Sequence, residues 1–303
     1  MSKRSQNYDL SHLAPAIRPR ALEPNVERIS RIRSDWVVRH DSVKKVLNHA
    51  RWLIEGPKCV RTEGLLVTGA VGAGKSTIGA LIERHYRRPD SKNVPIVSIS
   101  MTGARHMRTV YGRIIDALDG LVKANHTTPD REMTVQRLLT SVGARALIID
   151  EVQDIVAESI ADQKHALKAI KYITTKVQIP VIALGTEPAE KAFATDEHMA
   201  SRIKRHVLPA WAEGDELTAL LYGVSRIVPL RRPSAMHSEA FVRELLDLTG
   251  GSMKEMMSII RIAAINAVLS GTEYIDVGDL RNALLIPDMD QMDEFLVEED
   301  STC

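Results

Sequence analysis

The sequence predicts an α/β fold, a mostly parallel sheet with helices on both faces, followed by a small all-helical domain. Three observations point there. Four short apolar runs, LLVTG (65–69), PIVSIS (95–100), ALIIDE (146–151) and PVIALGT (180–186), recur at helix-sized intervals. The segments between them are amphipathic with a helical period, and strands alternating with helices build parallel sheets. After Pro209 the strand-like runs stop: DELTALLYGVSRIV, SEAFVRELLDLT, MKEMMSIIRIAAINAVL and DVGDLRNALL all read as helices.

Taken in order, residues 1–30 hold Pro15, Pro19 and Pro24 with little periodicity, and are expected to form an extended basic arm. The nucleotide-binding domain is expected over 31–209. Near its start, DSVKKVLNHARWLI sets Val43, Val46, Leu47, Ala50, Leu53 and Ile54 on one helical face, with Asp41 as N-cap. The helical domain spans 210–286, its helices separated at Pro229–Pro233 and Gly250–Gly251. Residues 287–303 form an acidic tail, in which DMDQMDEFLVEED carries seven acids and no base.

A chain of 303 residues can bury one large core and a smaller one. With 44% apolar and only 4% aromatic residues, that core is mostly aliphatic. No run of eighteen apolar residues exists, and MSKRSQNYDL lacks the apolar stretch of a secretory signal. Cys59 and Cys303, far apart, make neither a disulfide framework nor a zinc site. These features predict a soluble cytoplasmic protein with no membrane partner. The net charge of +1 conceals an uneven distribution: residues 1–60 carry twelve Lys/Arg against six Asp/Glu. Such a basic end can meet nucleic acid or simply be solvated.

The most specific motif is Gly69-Ala70-Val71-Gly72-Ala73-Gly74-Lys75-Ser76, followed by Thr77. It fits GxxxxGK[ST] and stands between an apolar strand and a helix, as a phosphate-binding loop requires. Glycines let backbone N–H groups turn inward around phosphate oxygens, and the helix N-terminus adds partial positive charge. Lys75 is expected to reach the β- and γ-phosphates of ATP, and Ser76 to hold Mg²⁺. The run ALIIDE places Asp150 at the C-terminal end of a buried strand, where ligands bind in open α/β sheets, to contact the Mg²⁺ through water. Glu151 beside it is placed to polarise an attacking water. Asp followed by Glu marks ATP-hydrolysing motors and switches rather than small-molecule kinases. Thr186, ending PVIALGT, is a candidate sensor of the γ-phosphate.

The stretch ASRIKRHVLPAW reads as a helix end that gathers Arg202, Lys204 and Arg205. In a ring or filament, Arg202 or Arg205 would stabilise the charge developing on a neighbouring subunit's γ-phosphate. The plainer alternative is a basic helix end favoured by its own dipole.

These parts in this order resemble the AAA+ ATPases, and more narrowly the TniB/TnsC group of ATP-dependent transposon regulators, including CRISPR-associated ones. RIRSDWVVRHDSVKKVLNHARWLIEGPK, ALIIDEVQDI, IPVIALGTEPA and SRIKRHVLPAW carry the narrower likeness, which covers roughly residues 28–286. The resemblance implies a protein that, with ATP bound, assembles as a ring or filament on double-stranded DNA. It would connect a TniQ-like target selector, itself able to engage a guide-RNA complex, to a DDE transposase. Hydrolysis would then disassemble it. The same likeness suggests that Trp36 covers the adenine, although packing is an equally good reading. It also suggests that Lys254, where AAA+ proteins often place Arg, touches phosphate from the lid; a lysine keeps the charge and loses the bidentate fork.

In that group DNA is gripped between the second strand and the Asp-Glu strand. Residues 102–145 hold seven Lys/Arg against four acids, with Tyr111 as the only aromatic ring of Phe, Tyr or Trp type. Phosphate contact is therefore expected rather than base stacking. Arg105 belongs to this set, and by position Lys123, Thr134 and Arg137 match the family's DNA-contacting places. Two other functions fit the same motifs: a helicase loader or replication-initiator relative, and a nucleotide-gated protein switch without DNA.

Overall fold

In this computed structural model the described residues are 8–34, 36, 40–59, 61–89, 91–103, 107–121, 126–156 and 160–284. The chain divides into two units, residues 41–209 and residues 1–40 together with 210–303.

In the first unit the elements run α2 (Asp41–Glu55), β1 (Gly64–Gly69), α3 (Lys75–Tyr86), β2 (Ile96–Ser100), α4 (Met107–Ala117), α5 (Thr128–Ser141) and β3 (Ala146–Asp150). They continue as α6 (Gln153–Val156), α7 (Ile160–Tyr172), β4 (Val181–Gly185), α8 (Glu187–Thr195), α9 (Glu197–Arg202) and β5 (Ile203–Leu208). The preceding helix α1 (Asn25–Arg33) belongs to the other unit. All strands are parallel, in the order β2-β3-β4-β1-β5.

Alternation along each strand sorts its side chains between two cores. Leu65 and Val67 face one core with Ile78 and Ile82 of α3 and Val46 and Ile54 of α2. Leu66 faces the other, with Val110 and Ile114 of α4, Val135 and Leu139 of α5 and Ile170 of α7. Burial on both faces explains why the inner strands are unbroken apolar runs. At the head of α5, Thr127 and Asp130 form a reciprocal capping box.

Strand β5 corrects the sequence reading, which had Ile203–Leu208 continuing a helix end. It lies at the sheet edge and pairs with β1 alone, from Gly64↔Ile203 to Gly69↔Leu208. Only its two ends, Ile203 and Leu208, are buried, so IKRHVL lacks the apolar run that marks the other strands. Arg202 therefore ends α9, whereas Lys204 and Arg205 sit on a strand with side chains on opposite faces.

The second unit holds α1 with α10 (Asp215–Ser225), α11 (Glu239–Thr249), α12 (Met253–Leu269) and α13 (Val277–Asn282). Its core joins Ile29 and Ile32 of α1 to Leu220, Phe241, Ile260 and Leu280. The N-terminal segment thus differs from the expected extended arm. Ile29 and Ile32 share one helical face, and Arg28, immediately before Ile29, is fully buried. Its guanidinium is matched by both carboxylate oxygens of Glu273 and by the Pro229 carbonyl at 2.9 and 3.1 Å. Residues 31–40, expected with the nucleotide-binding domain, also belong to this helical unit. Residues 287–303 lie outside the described residues, as do Arg105 and Lys123. Among the described residues no helix is long and apolar enough to cross a membrane.

Candidate nucleotide site

At the C-terminal end of β1 the backbone needs glycine for two reasons. A Cβ on Gly69 would stand 2.7 Å from the Leu208 carbonyl oxygen, so only glycine lets β1 lie this close to β5. Gly72 (φ 79°) and Gly74 (φ 91°) occupy the left-handed region that a side chain disfavours. The Ala73 N–H closes the loop on the Ala70 carbonyl at 3.2 Å. Gly74 then caps α3 without any side-chain hydrogen bond. The first-turn N–H groups of α3 are consequently left to an anion, and the exposed Ser76 and Thr77 stand among them.

Lys75 is buried, and its Nζ donates to the carbonyls of Gly69 at 2.9 Å and Ala70 at 2.8 Å. Burial pulls its pKa below the usual lysine value, while the carboxylates of Glu151 and Asp150 act in the opposite direction. A buried lysine held by two loop carbonyls and acted on by two carboxylates suits a Mg²⁺-bound polyphosphate. Val71 stands outward at the loop tip, while Ala73 packs against the core under α3.

Asp150 ends β3, and its Oδ1 accepts the Glu151 N–H at 2.8 Å. Glu151 has φ 52°, a left-handed conformation that is uncommon away from glycine and marks many functional positions. Its carboxylate accepts a hydrogen bond from the Gln153 amide. The other end of that amide, Oε1, accepts the Thr186 N–H at 3.2 Å. Gly185 makes this approach possible, since a Cβ there would lie 2.7 Å from the Val152 side chain and 3.0 Å from Gln153 Oε1. Thr186 is the N-cap of α8, yet its side chain makes no capping bond. The parallel order of β3, β4 and β1 brings Asp150, Glu151, Thr186 and the phosphate loop to one edge of the sheet.

The two candidate arginines separate. Arg205 donates to Glu190 Oε1 at 2.8 Å, and Thr68 donates to the other oxygen of Glu190 at 3.4 Å. Arg202 ends α9 beside Ile203, which pairs with Gly64, the first residue of β1. Its Nη1 is buried without a hydrogen-bond partner, and Arg202 forms no ion pair with a described residue. Gly64 and Gly69 lie five strand steps apart, about 17 Å. Arg202 is thus at the opposite end of the sheet from its own phosphate loop.

The remaining sequence candidates fall in the helical unit and on α5. Trp36, in the helical unit, packs against the helical core with the Arg261 guanidinium 5.2 Å from its ring centroid. Lys254 is exposed in the first turn of α12, a place the helix dipole disfavours for a cation. On α5, the Thr134 hydroxyl donates to the Asp130 carbonyl at 2.8 Å, while Arg137 is exposed. Gln153 and Glu190 escaped the sequence reading, because each acts through a partner on another element.

A family model described as "Bacterial TniB protein" matches residues 28–213. No curated protein matches the chain significantly. Among solved structures, the chain is similar to the Aeropyrum pernix ORC2 protein in ADPNP–ADP complexes, with a TM-score of 0.60 and 14% identity, over 84% of this chain and 70% of that one. It is also similar to Cdc6p from Pyrobaculum aerophilum, with a TM-score of 0.59 and 13% identity over 84% and 69% of the two chains. The Aeropyrum pernix ORC1 protein in complex with DNA gives a TM-score of 0.58 at 14% identity, over 84% and 68%. At these identities the likeness shows the fold alone, a parallel sheet flanked by helices like that of the ORC and Cdc6 proteins.

Proposed function

The chain belongs to the TniB family, and from that premise we propose that it is an ATP-hydrolysing assembly factor for transposition. It forms an ATP-dependent ring or filament on double-stranded DNA and connects a TniQ-like target selector to a DDE transposase. Hydrolysis takes the assembly apart. The observation that supports this reading best is the division of the site between two ends of one sheet. The phosphate loop, Asp150, Glu151 and Thr186 share one end, while Arg202 stands at the other, so a complete site needs a second copy.

The residues present fit ATP and Mg²⁺. Inward N–H groups and Lys75 would hold the phosphates, and Ser76 and Asp150 would hold the ion. Bound Mg²⁺–ATP supplies a γ-phosphoryl group able to transfer to water. Glu151 takes the proton of that water as its oxygen bonds to phosphorus and the β–γ bridging bond breaks. Arg202 of a neighbouring copy stabilises the charge that develops.

Electron microscopy with ATP, with and without duplex DNA, tests the reading on wild type, Glu151→Gln and Lys75→Ala. DNA-dependent filaments are expected for wild type, more persistent ones for Glu151→Gln, and none for Lys75→Ala. Nucleotide binding with no affinity for duplex DNA would overturn it.

A further inference from the structure

We propose that Gln153 is a positioning residue that anchors one oxygen of the Glu151 carboxylate and couples it to the end of β4. The inference rests on Glu151 acting as the base. The orientation of the Gln153 amide follows from its neighbours. The Thr186 N–H can only donate, so the amide oxygen faces it at 3.2 Å and the NH₂ faces Glu151. An ionised carboxylate accepts and never donates, which matches the donor it meets. Oε2 of Glu151 is thereby tied, and Oε1 is left to take a proton from water.

The surroundings enforce this arrangement. Glu151 has left-handed backbone, with its own N–H held by Asp150. Gln153 opens α6 two residues later, so the side chain returns toward the strand it has just left. The Val152 N–H bonds the Leu184 carbonyl at 3.0 Å, which fixes β4 against the turn, and Gly185 leaves room for the amide. One amide thus spans the candidate base and the candidate sensor strand. A displacement of Thr186 is transmitted to the carboxylate through two hydrogen bonds.

Two substitutions separate positioning from mere support. Gln153→Leu removes both bonds at similar size. Gln153→Glu keeps an acceptor for the Thr186 N–H but sets a carboxylate against Glu151. In nucleotide-free protein, Thr186 amide exchange is expected to quicken about fivefold in Gln153→Leu and to stay near wild type in Gln153→Glu. Both variants are expected to lose about tenfold or more in kcat, with KM for ATP within about twofold. Wild-type kcat in Gln153→Glu would reduce Gln153 to a support for β4 and overturn the proposal. So would a faster rate in either variant, or unaltered Thr186 exchange in Gln153→Leu. If instead Glu151→Gln hydrolyses ATP at the wild-type rate, the base assignment itself fails, whatever the exchange data show.

Discussion

Arg205 and Glu190 form an ion pair at 2.8 Å that ties strand β5 to helix α8, and Thr68 of β1 shares the same carboxylate. An arginine engaged within its own subunit is not available to a neighbour's phosphate. Arg202, three residues earlier, has no ion-pair partner among the described residues, and its buried Nη1 makes no hydrogen bond.

Arg202→Ala is therefore expected to lower the hydrolysis rate of the assembled protein by about a thousandfold, the scale of a lost trans-acting arginine. Nucleotide binding by the isolated subunit should be unchanged. Arg205→Ala should cost about 0–1 kcal/mol of stability, because the pair is partly exposed, and leave hydrolysis nearly intact. Mixing Arg202→Ala with Lys75→Ala subunits should restore activity, since an intact loop then meets an intact arginine. Equal rate losses from both arginine variants would contradict this division.

In the helical unit, Arg28 and Glu273 meet across 245 residues of sequence, and the Arg231 side chain and backbone N–H also reach Glu273. Arg28→Ala would leave the Glu273 carboxylate buried beside a single partly exposed arginine. We expect a loss of about 3–5 kcal/mol in urea unfolding followed by a probe in the helical unit. The double variant Arg28→Met, Glu273→Met should cost clearly less than either single change, because no buried charge is left unpaired.

These cases show where the sequence is legible. Inner strands are apolar throughout because both faces are covered, so β1, β3 and β4 stand out, as do the glycines and Lys75 of the loop; the edge strand β2 does so through buried Ile96, Val97 and Ile99. Strand β5 escaped notice because only Ile203 and Leu208 are buried, with Lys204, Arg205 and His206 between them. Helix α1 escaped because Arg28 looks like any solvated base until Glu273 is brought to it. Gln153 carries no local signal at all, since its role is created by β4 lying beside β3. Local pattern reports burial well; it does not report which distant partner satisfies a polar group.

The His49–His206 contact, 3.0 Å between Nδ1 and Nε2, joins α2 to β5 and predicts a pH dependence. Burial lowers both pKa values; His206 and Lys204 further depress His49, opposed by Glu63, and Lys45 depresses His206. The fold therefore favours neutral imidazoles. Their contribution is complete above about 6.5, the unfolded value, and is lost as pH falls through the lowered folded values. Stability of the α/β unit should fall with pH in that window. His206→Gln, which keeps hydrogen-bonding capacity without titrating, should flatten the slope. An identical pH profile in that variant would show that other groups carry the acid sensitivity.

The DNA surface can be tested through one side chain. Among the basic residues of 102–145, Arg113 donates to the Thr102 carbonyl, Arg131 to His126, and Arg145 to Ile54 and Gly56. Those guanidiniums hold backbone. Arg137 is different: Val135 and Leu139 bury the opposite face of α5 and leave Arg137 exposed, with no carboxylate partner among the described residues. Thr134 spends its hydroxyl proton on its own helix. Arg137→Ala should thus weaken duplex binding for all sequences alike and reduce the slope of log K against log salt by about 1. Thr134→Val should leave that slope unchanged. Fluorescence anisotropy with labelled duplex across a salt series measures both, and an unaltered slope in Arg137→Ala would move the DNA surface off α5.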